Sequence, residues 1–170
     1  YVPNADQSGR RALAGLALTM LCLHAVNQGD EVGQGKTLQA FKDASNMTDR
    51  FNALSALVQS GSGLAEGALQ RFHAMYQHEA LVIDKWFALQ AAACDRGGDV
   101  LPKVKQLLMH TDFEIKNPNR ARSLIFSYCS GNPAGFHRSD ASGYVLWAEK
   151  VIEIDGFNPQ VAARLARALG

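Results

Sequence analysis

The sequence predicts an all-α fold, an irregular superhelix of antiparallel helix pairs, and three observations carry that expectation. Apolar residues recur three and four positions apart along most of the chain, the period of one helix face, while the strict alternation of a half-buried strand is nearly absent. Asn-Pro pairs at Asn117, Asn132 and Asn158 stand at helix-initiating or turn positions. Helix starts fall near 48, 63, 80, 100, 118, 141 and 159, so alternate starts differ by 32, 37, 38, 41 and 41 residues. That is the length of a two-helix unit in a solenoid, in which each pair buries its apolar side against the next.

The elements follow in order. After the polar start with Pro3, Ser8 is the expected cap of a long helix in which Leu13, Leu16, Ala17, Met20, Leu21 and His24 form a wide stripe. The stretch VGQGKTLQAFKDA reads as a flexible turn passing into a weaker helix, with Leu38 and Phe41 inward. Asn46 or Thr48 caps the next helix, whose stripe is Phe51, Leu54, Leu57 and Val58, and SGSG ends it because adjacent glycines suit a turn. Ala65, Ala68, Leu69, Phe72, Met75 and Tyr76 mark a fourth helix. The fifth, ALVIDKWFALQAAA, has two apolar faces, Val82/Trp86/Leu89/Ala93 and Ile83/Phe87/Gln90, and so belongs in a central position. Asp99 is the expected cap of a helix lined by Val100, Val104, Leu107 and Leu108, with Pro102 tolerated in its first turn. Asn117 caps a helix that opens with Pro118 and turns Ala121, Leu124, Ile125 and Tyr128 inward; NPAGF ends it. Ser139 or Asp140 starts a helix with Tyr144, Trp147, Ala148, Val151 and Ile154 inward, and Asn158-Pro159 opens a last one whose apolar face is Val161, Leu165 and Leu169.

Composition limits what such a fold does. Lysine plus arginine number 17 and aspartate plus glutamate 16, a net charge of +1, with only 19% of residues charged, which argues against a protein built to neutralise nucleic-acid phosphates. At 47% hydrophobic the chain is not disordered, and its longest apolar stretch, LAGLALTMLCLHAV, is too short and interrupted to span a bilayer. Cys22, Cys94 and Cys129 are odd in number and far apart, so a disulfide framework is not expected and a reducing compartment is.

Most residues that could carry chemistry read as ordinary. His73 and His78 are five apart, a poor chelate on a helix, and His24, His110 and His137 are single. The three cysteines read as small buried hydrophobes rather than nucleophiles. GQGKT lacks the leading glycine of a phosphate loop, where Asp30 stands instead. Glu149, Glu153 and Asp155 read as a solvated face. The polar cluster that stands out is NPNRARS. Arg120 and Arg122 lie roughly 200° apart around a helix, so they do different work; with the apolar stripe facing the core, Arg122 is carried toward a concavity, and Arg164 beside Val161/Leu165 can do the same one unit later. A planar guanidinium fork there suits a peptide carbonyl or carboxylate, with a solvent-exposed or salt-bridged arginine as the plain alternative.

NMTDRFNALSALV, LVIDKWFALQA and the run KNPNRARSLIFSYCSGNPAGFHRSDASGYVLWAEKVIEIDGFNPQVAARLARAL together resemble the C-terminal ARM/HEAT-like superhelical domain of the bacterial aminopeptidase N family, zinc-dependent gluzincin metallopeptidases. GRRALAGLAL fits the start of that domain, and residues 28 to 42 match only loosely. The resemblance implies a parent enzyme that removes N-terminal amino acids from peptides, its zinc held by two histidines of HExxH and a distant glutamate, and the substrate amine by a GxMEN-type segment. Neither motif occurs in these 170 residues. The chain is therefore expected to be one helical-repeat domain over residues 1–170, a piece of a longer chain truncated at its C-terminal end. It would be inactive alone, with no catalytic or metal-ligating residue and no cofactor of its own. Its implied partners are the catalytic domain of the same polypeptide, which holds the zinc, and peptides; neither nucleic acid nor membrane is among them, and the implied location is cytoplasmic. By the same resemblance Arg122 of NPNRARS and Arg164 of NPQVAARL face a closed substrate chamber, which this domain helps enclose. The alternative is a free-standing helical-repeat scaffold that binds a protein or peptide in its concave face.

Overall fold

The computed structural model describes residues 4–169, so Pro3 in the polar start and the closing Gly170 lie outside the described residues. It is all-α, without a strand among the described residues, and its helices pair within two compact units, one through Met75 and one from Tyr76.

In the first unit, helix α1 (Ala5–Gln28) is capped by Asn4, whose side-chain oxygen accepts the Asp6 and Gln7 amides at 2.9 and 3.4 Å. Ser8, the expected cap, lies inside the helix and gives its own amide to the Asn4 carbonyl. The expected stripe is also overturned: Leu13, Leu16, Met20 and Leu21 are 59–68% exposed, and Ala17 and His24 are exposed with them, while Cys22 and Ala25 are buried. The helix packs through its small residues instead. A Cβ on Gly15 would sit 3.0 Å from the Asn52 side chain, and one on Gly33 would sit 2.7 Å from Ala25 Cβ, so close approach decides which face goes inward.

Gly29, at φ 67°, ends α1, and Asp30 caps α2 (Glu31–Asp43) by accepting the Val32 and Gly33 amides, both at 3.0 Å. The GQGKT segment is thus fully helical rather than a flexible turn. Phe41 is completely buried and Leu38 half-buried. Asn46 caps α3 (Met47–Ser60) in a reciprocal arrangement, accepting the Asp49 amide at 2.9 Å and donating to the Asp49 carboxylate at 2.7 Å. Ala53, Leu54, Ala56 and Leu57 are buried, and Gly61 at φ 70° stops the helix. Helix α4 (Ala65–Tyr76) buries Ala68, Leu69 and Phe72, with the Phe72 ring 5.8 Å from that of Phe51; Met75, expected inward, is 47% exposed near the helix end.

In the second unit, α5 (Ala80–Ala91) is covered on both predicted faces, with Ile83, Phe87, Gln90, Trp86 and Leu89 all buried. Helix α6 (Val100–Leu108) buries Val100, Leu101, Val104 and Leu107. Asp99 does not cap it by its side chain. Gly97 and Gly98, at φ 72° and 90°, fold the loop back so that Asp95 accepts the Val100 amide at 3.0 Å, and Asp99 accepts from the Arg96 amide. Asn117 caps α7 (Pro118–Ala121), which runs through a π turn (Arg122–Phe126) into α8 (Ser127–Gly131). Ala121, Leu124, Ile125 and Tyr128 are at most 2% exposed, as the periodicity predicts. Asn132 then caps the short α9 (Pro133–Phe136).

Asp140 opens α10 (Ser142–Asp155) by accepting the Ser142 amide at 3.0 Å, and the Arg138 guanidinium, bonded to it at 2.8 Å, holds its carboxyl well below the usual carboxylate range. Ile154 is fully buried and Tyr144, Trp147, Ala148 and Val151 half-buried, while Leu146, which the stripe omitted, is buried. Asn158 caps α11 (Pro159–Ala166), which a 3-10 turn (Arg167–Leu169) follows. There Ala162 and Leu165 are buried, Val161 is half-buried, and Leu169 is 51% exposed instead of inward. The Trp147 indole N–H donates to the Leu165 carbonyl at 3.0 Å and ties α11 to α10.

Candidate functional site

The site grows out of the NPNRARS segment. Asn117 accepts the Asn119 and Arg120 amides at 3.0 and 3.3 Å, and Pro118 occupies the first helical position, where its missing amide hydrogen costs nothing. With this start fixed and the Ala121/Leu124/Ile125/Tyr128 face buried, the two arginines diverge. Arg120 turns inward and is 7% exposed. Its Nε donates to Asp84 Oδ1 at 2.7 Å, its Nη1 to the Asp112 carbonyl, and its guanidinium carbon lies 5.0 Å from the centre of the Phe87 ring. Arg122 turns outward, with Nε donating to the Pro118 carbonyl at 3.1 Å and Nη2 to Asn119 Oδ1 at 2.5 Å. Those two bonds fix the plane of the fork and leave Nη1 for something else.

The π turn decides what shares that face. The Ser127 amide donates to the Arg122 carbonyl, five residues back. In an unbroken α-helix a step of four residues overshoots one turn by about 40°; the wider π turn rotates less per residue and offsets that drift. Arg122, Phe126 and Ser130 therefore all line one pocket of 460 Å³. Arg164 and Arg167, three apart across the end of α11, complete its cationic part, and Ala121, Ile154, Val161 and Leu165 its apolar part. None of the lining residues is acidic, and neither Arg164 nor Arg167 has a hydrogen-bond or ion-pair partner among the described residues. The arrangement is a concave apolar surface with three guanidinium groups and no counter-charge, suited to an anion that carries an apolar body.

The two arginines singled out in the sequence are thus brought together in one pocket. Arg167, Phe126 and Ser130 escaped the sequence reading, although the two steps of four from Arg122 through Phe126 to Ser130 and the step of three from Arg164 to Arg167 are a readable signal. The pocket offers no imidazole, thiol or carboxylate, so its residues do not fit a zinc ion. His73 lies in α4 and His78 beyond its end, so the pair does not share a helix. His137 Nδ1 is 2.8 Å from the Tyr144 hydroxyl. Cys22 and Cys129 are buried and Cys94 exposed, all free thiols; burial pushes Cys129 up to about 12, far from a nucleophile's range. Glu149, Glu153 and Asp155 are exposed, and Glu153 pairs with Lys150 at 2.6 Å. No described helix is long and apolar enough to cross a membrane.

Comparison with known proteins gives a consistent answer. The family model described as "Domain of unknown function (DUF3458_C) ARM repeats" matches residues 1–170. Aminopeptidase N of Caulobacter vibrioides is 40% identical over 100% of this chain, and that of Escherichia coli 42% identical over 99%. The crystal structure of Legionella pneumophila aminopeptidase A in complex with aspartic acid superposes over 96% of the chain with a TM-score of 0.84 and 32% identity. In each case the chain spans 19% of the length of the protein it matches. With its whole length matched by the family model and two relatives about 40% identical over all or nearly all of it, the chain belongs to the C-terminal ARM-type helical domain family of bacterial aminopeptidase N.

Proposed function

We propose that this chain is the non-catalytic helical domain of a zinc-dependent aminopeptidase that removes N-terminal amino acids from peptides. In this reading the domain encloses the substrate chamber, limits access to it, and presents Arg122 and Arg164 on its wall. One observation carries the reading. The two arginines, 42 positions apart in sequence, line a single concave surface that has no acid to neutralise them. That the chain is about a fifth as long as its relatives favours a part of such an enzyme over a free-standing scaffold. Zinc bound in the catalytic domain would supply an activated water and a polarised carbonyl; the residues of this chain would bind and orient the far part of the peptide. Three free cysteines support a reducing compartment, and we assign the enzyme to the cytoplasm.

The test is Arg122→Ala in the intact enzyme, with a peptide and a small amino-acid arylamide as substrates. A charge-assisted hydrogen bond is worth about 1.5–3 kcal/mol, so kcat/KM for the peptide is expected to fall about tenfold or more. The arylamide ends close to the zinc and loses far less. Equal losses for both substrates, with unchanged thermal unfolding, would remove the chamber contact.

A further inference from the structure

Two neutral acceptors hold the Arg122 guanidinium, and neither belongs to the pocket that Arg122 lines. The Pro118 carbonyl takes the Nε proton at 3.1 Å and Asn119 Oδ1 takes one from Nη2 at 2.5 Å, four and three residues back, the spacings that share a helix face. The pocket lining includes Arg122 but neither Pro118 nor Asn119, so the acceptors hold the fork from outside the surface a ligand meets. The side-chain cap of α7 is made by Asn117, and the start of the helix does not depend on the Asn119 side chain. Residue type is the telling point. Asn119 stands in the first turn of α7, where the helix dipole favours an acid, yet that turn carries none. An aspartate there would accept the same bond and suit the helix better, but its charge would offset that of Arg122. A hydrogen bond from an ionised donor is roughly twice as strong as a neutral one, so a carboxylate at this position would compete with any ligand for the fork.

We infer that Asn119 is the positioning residue of Arg122: its amide oxygen, together with the Pro118 carbonyl, fixes the plane of the fork and leaves its full charge to the peptide. The inference rests on the chamber reading above and adds to it a residue that governs how strongly the wall holds a peptide without touching one. Its consequences separate orientation from charge. Asn119→Ala keeps the charge of Arg122 and frees the fork to sample other rotamers, so a peptide contact must then offset the cost of ordering it. Asn119→Asp keeps the bond and favours the start of α7, but ties the guanidinium to a counter-charge in the one part of the molecule whose lining has no acid. Fold stability and peptide turnover therefore move in opposite directions in the aspartate variant. For a residue that only supports α7 they move together.

The experiment places Asn119→Asp and Asn119→Ala in the intact enzyme, each alone and combined with Arg122→Ala. The readout is the ratio of kcat/KM for a short peptide, tetra-alanine, to that for alanine para-nitroanilide, which cancels any general loss of activity, with the thermal midpoint measured on the same preparations. Asn119→Asp is expected to lower the ratio severalfold while the midpoint holds or rises, and Asn119→Ala to lower it by a smaller factor. In the Arg122→Ala background neither change is expected to move the ratio further, because a residue that acts through the fork has nothing left to act on. A ratio untouched by either single variant, a midpoint that falls together with the ratio in Asn119→Asp, or an undiminished effect in the Arg122→Ala background overturns the inference. If Arg122→Ala itself lowers the ratio in that case, the chamber reading stands and only the role of Asn119 falls. If Arg122→Ala leaves the ratio unchanged, the chamber reading falls on its own evidence.

Discussion

Arg120 and Arg122 differ by one intervening alanine and by everything that touches them. Arg120 and Asp84 have side chains only 8% and 15% exposed, and they meet at 2.7 Å under the Phe87 ring. Removing one partner of such a pair leaves a buried charge with no counter-ion, at a cost of about 3–5 kcal/mol. Arg120→Ala is therefore expected to destabilise the fold by that amount in denaturant unfolding, and Asp84→Ala to do the same, with the double variant losing less than the sum because both charges leave together. Arg122→Ala, whose bonds are exposed, is expected to change stability by well under 1 kcal/mol. A loss for Arg120→Ala as small as that for Arg122→Ala would show that the pair is solvated. At this scale the sequence was informative about direction and silent about partners. The angle between the two arginines follows from helix geometry alone, whereas Asp84 lies 36 positions away and nothing local announces it.

Elements were legible where the cap and the stripe agree and illegible where packing is by small residues. Asn117-Pro118 and Asn158-Pro159 begin helices as their sequences say, and the Ala121/Leu124/Ile125/Tyr128 face is buried as its spacing says. Helix α1 went the other way because both of its sides are apolar, and the glycine contacts at Gly15 and Gly33, not the larger leucines, set which side its neighbours reach. The π turn at Arg122–Phe126 has no signature in composition and is visible only in the bond from Ser127 to Arg122. A comparable close approach occurs at Gly143, where an added Cβ would collide with the Phe136 carbonyl, a backbone atom that cannot swing aside. Gly143→Ala is expected to force α10 away from α9 and to destabilise by about 1–3 kcal/mol net, the overpacking outweighing the roughly 0.8–1.0 kcal/mol that alanine ordinarily gains over glycine in a helix. Unfolding measurements on this variant decide between the two, and a gain in stability would mean the helices can shift apart freely.

For the whole molecule, charge is nearly balanced and function depends on where it is not. A net charge of +1 over 170 residues gives the domain little long-range field, so under the proposed chamber reading any attraction of an anionic peptide acts at contact distance within the pocket of Arg122, Arg164 and Arg167. Salt tests this directly. The screening length is about 10 Å at 0.1 M and about 3 Å at 1 M ionic strength, and an arginine pocket open to solvent feels that change while its apolar lining does not. Raising salt between those limits is expected to increase KM severalfold for a free-acid peptide. For its C-terminal amide KM should change little, because apolar burial and neutral hydrogen bonds are weakly screened. An equal rise for both peptides would place the salt-sensitive step elsewhere in the enzyme, such as capture of the substrate's amino end, and would leave the three arginines with no electrostatic role in selecting the substrate.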